Sequence, residues 1–393
     1  MVLRAQYAQP FKAIYLCYSF CKLVAFNIPY WLLINAIPSN RPRPSWSLRK
    51  SLSVKAFHWA MGIILRTGEL QVMPNHHRVE SNSNGVWINA APEHLFDDDL
   101  RMWLSVAQVK PCIIPGYYYT RHSAPSHTNA RKIVYHLHGG AYVTWSASPA
   151  CTDAARIPKG YLTCANTVSS VFAPEYRLSS INGKGCFENP FPAALLDALA
   201  GYLHLIEQGY SPQDIVLSGD SAGAHLALAL CRYLLQATRK GLATPALPSK
   251  LILLSPWADF GFSHQESYNS VKITDYLRDY DFPQSAITAF LGPHPRSMLE
   301  ESPYISPASL SFFEEDHIGL FRDFPNTFIA VGTGERLLSS QRDLAKLMRR
   351  DMGDDKVVMY EAEDCVHDYC AFDWEEPKRS QTFAEIDSWL TGK

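Results

Sequence analysis

Charge is what this 393-residue chain has least of. Only 19% of its residues are charged against 47% apolar, and 36 Lys+Arg nearly cancel 38 Asp+Glu to leave a formal net charge of -2. Without a surplus of positive charge there is no global electrostatic case for nucleic acid as a partner. So apolar and so weakly charged a chain is also not a disordered one. Cysteine is sparse. Nine residues, an odd count, lack the density of a disulfide framework and point to a reducing compartment. The close pairs Cys17/Cys21 and Cys365/Cys370 have no second pair at zinc-type spacing, so they read as small buried hydrophobes. Internal repeats and low-complexity tracts are missing, and no small-residue cleavage site follows a short apolar core as a secretory signal requires. What is plentiful is aromatic: 9 Trp, 20 Tyr and 19 Phe. Such a chain buries a large core and keeps apolar surface for a pocket or a membrane.

Residues 11–37 form the most apolar stretch. Lys22 interrupts it, and Pro29 is expected to break any continuous helix, leaving two pieces each too short to span a bilayer. Arg41, Arg43, Arg49 and Lys50 follow. Two readings stand. The segment rests in a membrane interface, or passes through as a single anchor, with Tyr30 and Trp31 at the interface and basic residues at the headgroups. Alternatively it folds back as helices covering the mouth of a pocket.

From residue 131 short apolar runs alternate with helical patterns. Strands are expected at 132–137, 167–172, 215–218, 251–254, 326–331 and 356–360, and helices at 192–207, 222–236, 339–350 and 380–390. This alternation predicts an α/β fold with a mostly parallel, doubly wound sheet. Residues 259–325 break the rhythm, with apparent helices at 271–276 and 283–290. They read as an insertion packed over one end of the sheet, where such folds bind ligands.

The strongest chemical signal is Gly219-Asp220-Ser221-Ala222-Gly223. A bare G-x-S-x-G is weak, but this one follows the apolar run IVLS and opens an Ala/Leu-rich helix. A sharp strand-to-helix turn demands small neighbours and lifts the serine hydroxyl clear of the backbone. It also sets Ser221 at a helix N-terminus, where developing negative charge is favoured. The second signal is His138-Gly139-Gly140-Ala141-Tyr142 after KIVYHL. Glycine amides can be aimed at a tetrahedral oxyanion without side-chain obstruction, so Gly139 and Gly140, with the Ala222 amide, are candidate oxyanion donors. His136 and His138 stand two apart, but no third ligand lies at motif spacing, so no metal is expected.

A serine nucleophile needs a base, and the base an orienting acid, in chain order serine, acid, histidine. Glu335 falls just past the strand ending FIAV, and His367 in the loop after KVVMY. Both reach the sheet edge that carries Ser221. Asp343, Asp364 and Asp368 are competing acids, and His294 and His317 competing bases inside the insertion.

These motifs together, HGGAY, GDSAG, GERLL and VHDY, resemble the hormone-sensitive-lipase-like branch of the α/β-hydrolases. FAPEYRLS, LILLSPWADF and SPYISPAS are similar too, so the resemblance covers residues 130–392. It implies a serine esterase with Ser221 as nucleophile, His367 as general base, Glu335 as acid, and Gly139, Gly140 and Ala222 at the oxyanion hole, without cofactor. It also implies a helical cap built from the amino-terminal segment and the 259–325 insertion, so the chain divides into residues 1–60 and a catalytic domain over 61–393. The whole chain is similar to fungal members of secondary metabolism and to sterol-acetate hydrolases. Two positions depart from the family pattern: Ala141 stands for a third glycine, and Glu335 for the usual Asp.

Tyr117–Tyr119, Tyr142, Trp145 and Trp257 are candidate pocket aromatics, favouring a bulky apolar substrate. The leading expectation is hydrolysis of a short acyl ester, such as an acetate, of a polycyclic or polyketide-like alcohol. Acyl transfer or base-catalysed cyclisation on the same scaffold is the rival, and a ligand receptor the third reading. The expected partners are the apolar ester, a membrane met through residues 11–37, and a second copy in a homodimer. The expected place is the cytoplasm or a cytoplasm-facing membrane such as the endoplasmic reticulum.

Overall fold

The computed structural model describes residues 9–68, 74–81, 83–121, 132–277 and 281–392. Its sheet is built from β1 (Gly85–Ile88), β2 (Ile114–Thr120), β3 (Lys132–Leu137), β4 (Val168–Pro174), β7 (Ile215–Asp220), β8 (Lys250–Leu254), β9 (Asn326–Gly332) and β10 (Val357–Ala362), with β5 (Ser180–Ile181) and β6 (Phe187–Glu188) forming a separate ribbon. The spatial order is β1-β2-β4-β3-β7-β8-β9-β10. From β4 to β10 all pairs are parallel, whereas β1 and β2 join antiparallel at one edge. Every residue of β7 is buried, which is why the central strands read as unbroken apolar runs rather than alternating ones.

Helices cover both faces. The helices outside the insertion are α1 (Phe11–Lys22), α2 (Ile28–Ala36), α3 (Leu48–Thr67), α4 (Asp98–Ala107), α5 (Thr152–Cys164), α6 (Ala193–Glu207) and α7 (Ala222–Arg239). The insertion adds α8 (Gln265–Ser270), α9 (Asp281–Leu291) and α10 (Met298–Glu301), and α11 (Leu338–Met352) and α12 (Lys378–Thr391) complete the set. One apolar core gathers α4, α6, α7, α9 and α11 on one face; the other face is packed by α5 and α12. The first helix expected in the insertion, 271–276, lies instead at α8. Helix α5 escapes the periodicity because Pro158 and Gly160 sit inside it. Gly160 is a packing requirement: a Cβ there would stand 2.3 Å from the Phe383 ring of α12.

The amino-terminal segment departs from expectation. Pro29 does not break it: residues 11–36 run as one 26-residue helical stretch, long and apolar enough to cross a membrane by length and composition, with almost none of it buried. A proline removes one helical N–H and crowds the carbonyl four residues back. Here a π-turn, Leu23–Asn27, precedes the proline, and the Ile28 N–H reaches back to Leu23. The wider turn accommodates the ring, as single π-turns inside helices do. Cys17 and Cys21 are exposed on this helix rather than buried, while Cys365 and Cys370 are buried. Residues 38–67 fold back. Trp46, Val54 and Phe57 pack with Tyr276, Val366 and Phe372 beside the last loops of the sheet. Helix α3 runs past residue 60 to Thr67, so the backbone has no break at that expected boundary.

Candidate active site

The chain leaves β3 to one side of the sheet and returns as β7 on the other, so the strand order reverses between them. The crevice at the carboxyl ends of such a pair is where open α/β sheets hold ligands. The glycine loop follows β3 and Ser221 follows β7.

Ser221 sits at φ 50°, ψ -115°, a conformation a side chain adopts only under constraint. Its amide donates to Leu254 O at 2.9 Å, and its carbonyl accepts from the amides of Trp257 (3.1 Å) and His225 (3.2 Å). The flanking glycines are required by close approach. A Cβ on Gly223 would lie 2.0 Å from Leu137 O, and one on Gly219 2.3 Å from Gly223 O.

The Ser221 hydroxyl lies 2.9 Å from His367 Nε2, and His367 Nδ1 lies 3.0 Å from Glu335 Oε2. With Nδ1–H donating to Glu335, Nε2 is free to accept the serine proton. The Glu335 carboxylate is wholly buried and saturated with donors. Its Oε1 accepts from Ser255 Oγ (2.6 Å) and Gly332 N (2.6 Å), and its Oε2 also accepts from Gln341 Nε2 (2.7 Å). The Glu335 amide donates to Gly332 O at 3.1 Å, closing the turn that carries the carboxylate.

Gly139 abuts the nucleophile: a Cβ there would stand 3.2 Å from the Ser221 Cβ. Gly140, Ala141 and Tyr142 are consecutive left-handed residues, at φ 100°, 54° and 63°. Among the described residues no acceptor takes the amide hydrogens of Gly139, Gly140 or Ala222. The candidate oxyanion donors therefore remain free at the serine.

The competing residues go elsewhere, with one exception. Asp343 pairs with His264 Nε2 at 3.0 Å and Asp364 with Arg43 at 2.7 Å. His294 Nε2 faces Phe191 O at 2.9 Å, and the His317 carbonyl accepts from Arg350. His136 Nδ1 meets Ser218 Oγ, while His138 stacks on Tyr176 with ring centroids 4.3 Å apart. Burial pushes His138 down to about 4. Among the described residues no cluster of three or more His, Cys, Asp or Glu could hold a metal ion. The exception is Asp368, which stands 3.2 Å from His367 Nε2.

Three supporting residues lie outside the catalytic motifs. Ser255 donates to Glu335 and accepts the Asp368 amide at 3.0 Å, joining acid to histidine loop. Asp275, from the insertion, accepts the amides of Arg336 (2.9 Å), Tyr276 (2.7 Å) and, weakly, His367 (3.4 Å). Burial raises its carboxyl to about 6, against the opposing pull of His367. Gln341, one turn into α11, completes the Glu335 shell. The LILLSPWADF segment held Ser255 in plain view, but only the bend after β8, with Ser255 at φ 44°, turns it toward the acid. Of the candidate pocket aromatics, Tyr117 and Tyr119 belong to the sheet core, and Tyr142 is buried with its hydroxyl 2.6 Å from His225. Trp257 alone of these bonds to Ser221, through its amide, and its ring stacks on Phe260 at 4.0 Å.

Residues 134–371 match the family described as alpha/beta hydrolase fold. An acetyl-hydrolase of Streptomyces hygroscopicus is 35% identical over 227 residues, which are 56% of this chain and 62% of that protein. An esterase of Acinetobacter venetianus is 28% identical over 287 residues, 72% of this chain and 82% of that protein. Among solved structures, esterase E25 superposes with a TM-score of 0.56 at 26% identity, covering 71% of this chain and 74% of its own. An esterase of the bacterial hormone-sensitive lipase family superposes at 0.57 and 20% identity over 93% and 98%. At that identity the last similarity speaks to the fold.

Proposed function

The chain belongs to the α/β-hydrolase fold family, in its hormone-sensitive-lipase-like branch, and from that membership we propose that it is a serine carboxylesterase. Its substrate in this reading is a short-chain ester, an acetate foremost, of a bulky apolar alcohol of sterol or secondary-metabolite type. The observation that carries the reading is the unbroken relay from Ser221 Oγ through His367 to Glu335, at 2.9 and 3.0 Å, beside three unclaimed amides. Ser221 Oγ attacks the ester carbonyl while His367 Nε2 takes its proton. The carbonyl electrons move onto the oxygen, which the Gly139, Gly140 and Ala222 amides receive; each such donor is worth roughly 10²- to 10³-fold in rate. The C–O bond then breaks, and His367 returns the proton to the departing alcohol. Water repeats the sequence on the acyl-serine and frees the acid.

The acetyl preference is supported by the acetyl-hydrolase relative and by Ala141, whose methyl occupies space a glycine would leave open. The apolar alcohol is supported by the chain's scarcity of charge and by Trp257, whose amide bonds to the Ser221 carbonyl. The exposed apolar helix supports a membrane surface as the place where such an ester is met.

The test is a fluorophosphonate probe on wild type and Ser221→Ala, with p-nitrophenyl esters from acetate to palmitate. Labelling and acetate turnover that vanish in the variant support the reading. Labelling that persists in Ser221→Ala removes the nucleophile, and turnover of long acyl chains alone overturns the acetyl preference.

A further inference from the structure

The Glu335 turn and the His367 loop are separate segments, after β9 and β10, and the triad exists only while they keep register. Their backbones touch: Gly334 N donates to Cys365 O at 2.8 Å and Thr333 N to Ala362 O at 3.0 Å. A side chain from a distant part of the chain spans the same seam. Arg43 Nη2 donates to Thr333 O at 2.6 Å, and its Nη1 donates to Asp364 Oδ1 at 2.7 Å. Thr333 is two residues before Glu335, and Asp364 three before His367. Thr333 Oγ1 in turn accepts the Asp364 amide at 2.8 Å. Asp364 is a left-handed residue, φ 65°, whose carboxylate also takes Ser45 Oγ and whose carbonyl takes Trp46 Nε1 at 2.9 Å. A planar guanidinium with its donors in a fixed fork suits this bridging, because it fixes direction as well as distance.

The bracing segment is itself held at both ends. Upstream, Arg41 donates to Asn35 O (2.9 Å) at the end of α2 and to Trp46 O (2.7 Å). Downstream, Lys50 pairs with the buried Glu375 at 2.5 Å. The last carbonyls of the exposed apolar helix are therefore linked, through Arg41, Trp46 and Arg43, to both loops of the triad.

We propose that Arg43 is a positioning residue for the triad, stapling the Glu335 turn to the His367 loop and tying both to the apolar amino-terminal helix. It touches no reacting atom. Its effect is on the distances within the Ser221–His367–Glu335 relay, and it rests on the catalytic reading above.

The experiment uses the full chain in detergent, first as wild type, then as Arg43→Gln, Asp364→Asn, the double variant and Arg43→Lys, with kcat and KM on p-nitrophenyl acetate and thermal unfolding for each. A wild type without turnover counts against the esterase reading and is seen before any variant is compared. Given an active wild type, Arg43→Gln is expected to lower kcat by roughly 10- to 100-fold, as displaced catalytic groups do, with KM little changed. Asp364→Asn should do likewise, the double variant should be no worse than the poorer single one, and Arg43→Lys should recover part of the loss. Fluorophosphonate labelling well below each melting temperature should slow in parallel with kcat. A wild-type kcat in Arg43→Gln, losses that multiply in the double variant, or a loss of folded fraction that alone accounts for the lost rate would overturn the proposal.

Discussion

Asp368 sets a carboxylate oxygen 3.2 Å from His367 Nε2, the same nitrogen that faces the Ser221 hydroxyl at 2.9 Å. The histidine thus lies between two buried carboxylates, Glu335 at Nδ1 and Asp368 at Nε2. To accept the serine proton, Nε2 must present its lone pair, and a lone pair facing an ionised carboxylate at that distance is repelled. One proton held between Asp368 and Nε2 relieves the repulsion and also blocks the base. Burial alone would depress the imidazolium, but Asp368 first and then Glu335 outweigh it and hold His367 well above its ordinary value. Burial raises Asp368 to about 7, with His367 pulling it down and Asp220 and Glu335 adding to the rise.

The sign for activity follows. The competent state is the deprotonated one, so kcat/KM rises with pH through the titration of this pair, later than for an ordinary histidine base. Replacing Asp368 by Asn removes the carboxylate that favours the imidazolium. Asp368→Asn is expected to move the acid limb of kcat/KM down by roughly 1 unit or more, the usual effect of an opposite charge this close. Activity at pH 6 then rises relative to wild type, while activity at pH 9 changes little. A pH–rate profile with an unmoved acid limb would contradict this.

The parts of this site that were legible in the sequence are those whose chemistry is local. Ser221 announces itself because its turn needs Gly219 and Gly223 within two residues, and His138-Gly139-Gly140 because a loop of free amides needs consecutive small residues. Glu335 and His367 are legible through strand order alone. Asp275, Ser255 and Arg43 are not, since each meets the triad or its loops only through contacts spanning tens to hundreds of residues; Gln341 is only six residues from Glu335 and is aimed at it by the turn into α11. The same distinction separates the strands. β3, β7, β8 and β9 each hold a short apolar run whose residues are buried, whereas β2, in the antiparallel edge pair with β1, contains Pro115 and Gly116, residues that strands seldom hold. Pro29 misleads for a third reason: the π-turn that accommodates it has no sequence signature of its own.

Ala141 gives a second test. At φ 54° it occupies the left-handed region, which costs an alanine about 1 kcal/mol relative to glycine. Ala141→Gly removes both the strain and the methyl. The variant is expected to unfold at the same temperature or higher, and to shift the ratio of kcat/KM for p-nitrophenyl hexanoate over acetate upward by roughly 10-fold, a methylene's worth of room. An unchanged ratio would separate Ala141 from acyl selection.

The exposed helix gives a third. Phe26 is 70% exposed and Val24 52%, both near the middle of the 26-residue stretch. A lysine at the centre of a membrane-embedded helix costs about 2.5 to 3.5 kcal/mol. Wild type is expected to float with vesicles of phosphatidylcholine and phosphatidylserine, and Val24→Lys/Phe26→Lys to remain in the soluble fraction with undiminished turnover of a water-soluble ester. Equal flotation of the two would leave the helix without a lipid partner.

Glu175 links the fold to pH independently of the triad. It is buried, accepts Ser146 Oγ at 2.5 Å, and is raised by burial to about 8 although its hydrogen bonds oppose the shift. In the unfolded chain its carboxyl titrates near the ordinary glutamate value of about 4.3. Between those two values the folded state binds a proton that the unfolded state has lost, so stability must fall as pH rises through that window. Above about 8 both states are ionised, and the cost of a buried carboxylate is complete. Glu175→Gln keeps an acceptor for Ser146 and cannot ionise. It is expected to flatten the slope of melting temperature against pH between 5 and 8 and to melt higher than wild type at pH 8. Parallel slopes for the two proteins would mean that Glu175 is ionised in the folded state throughout that range, its charge held by Ser146 and the neighbouring amides.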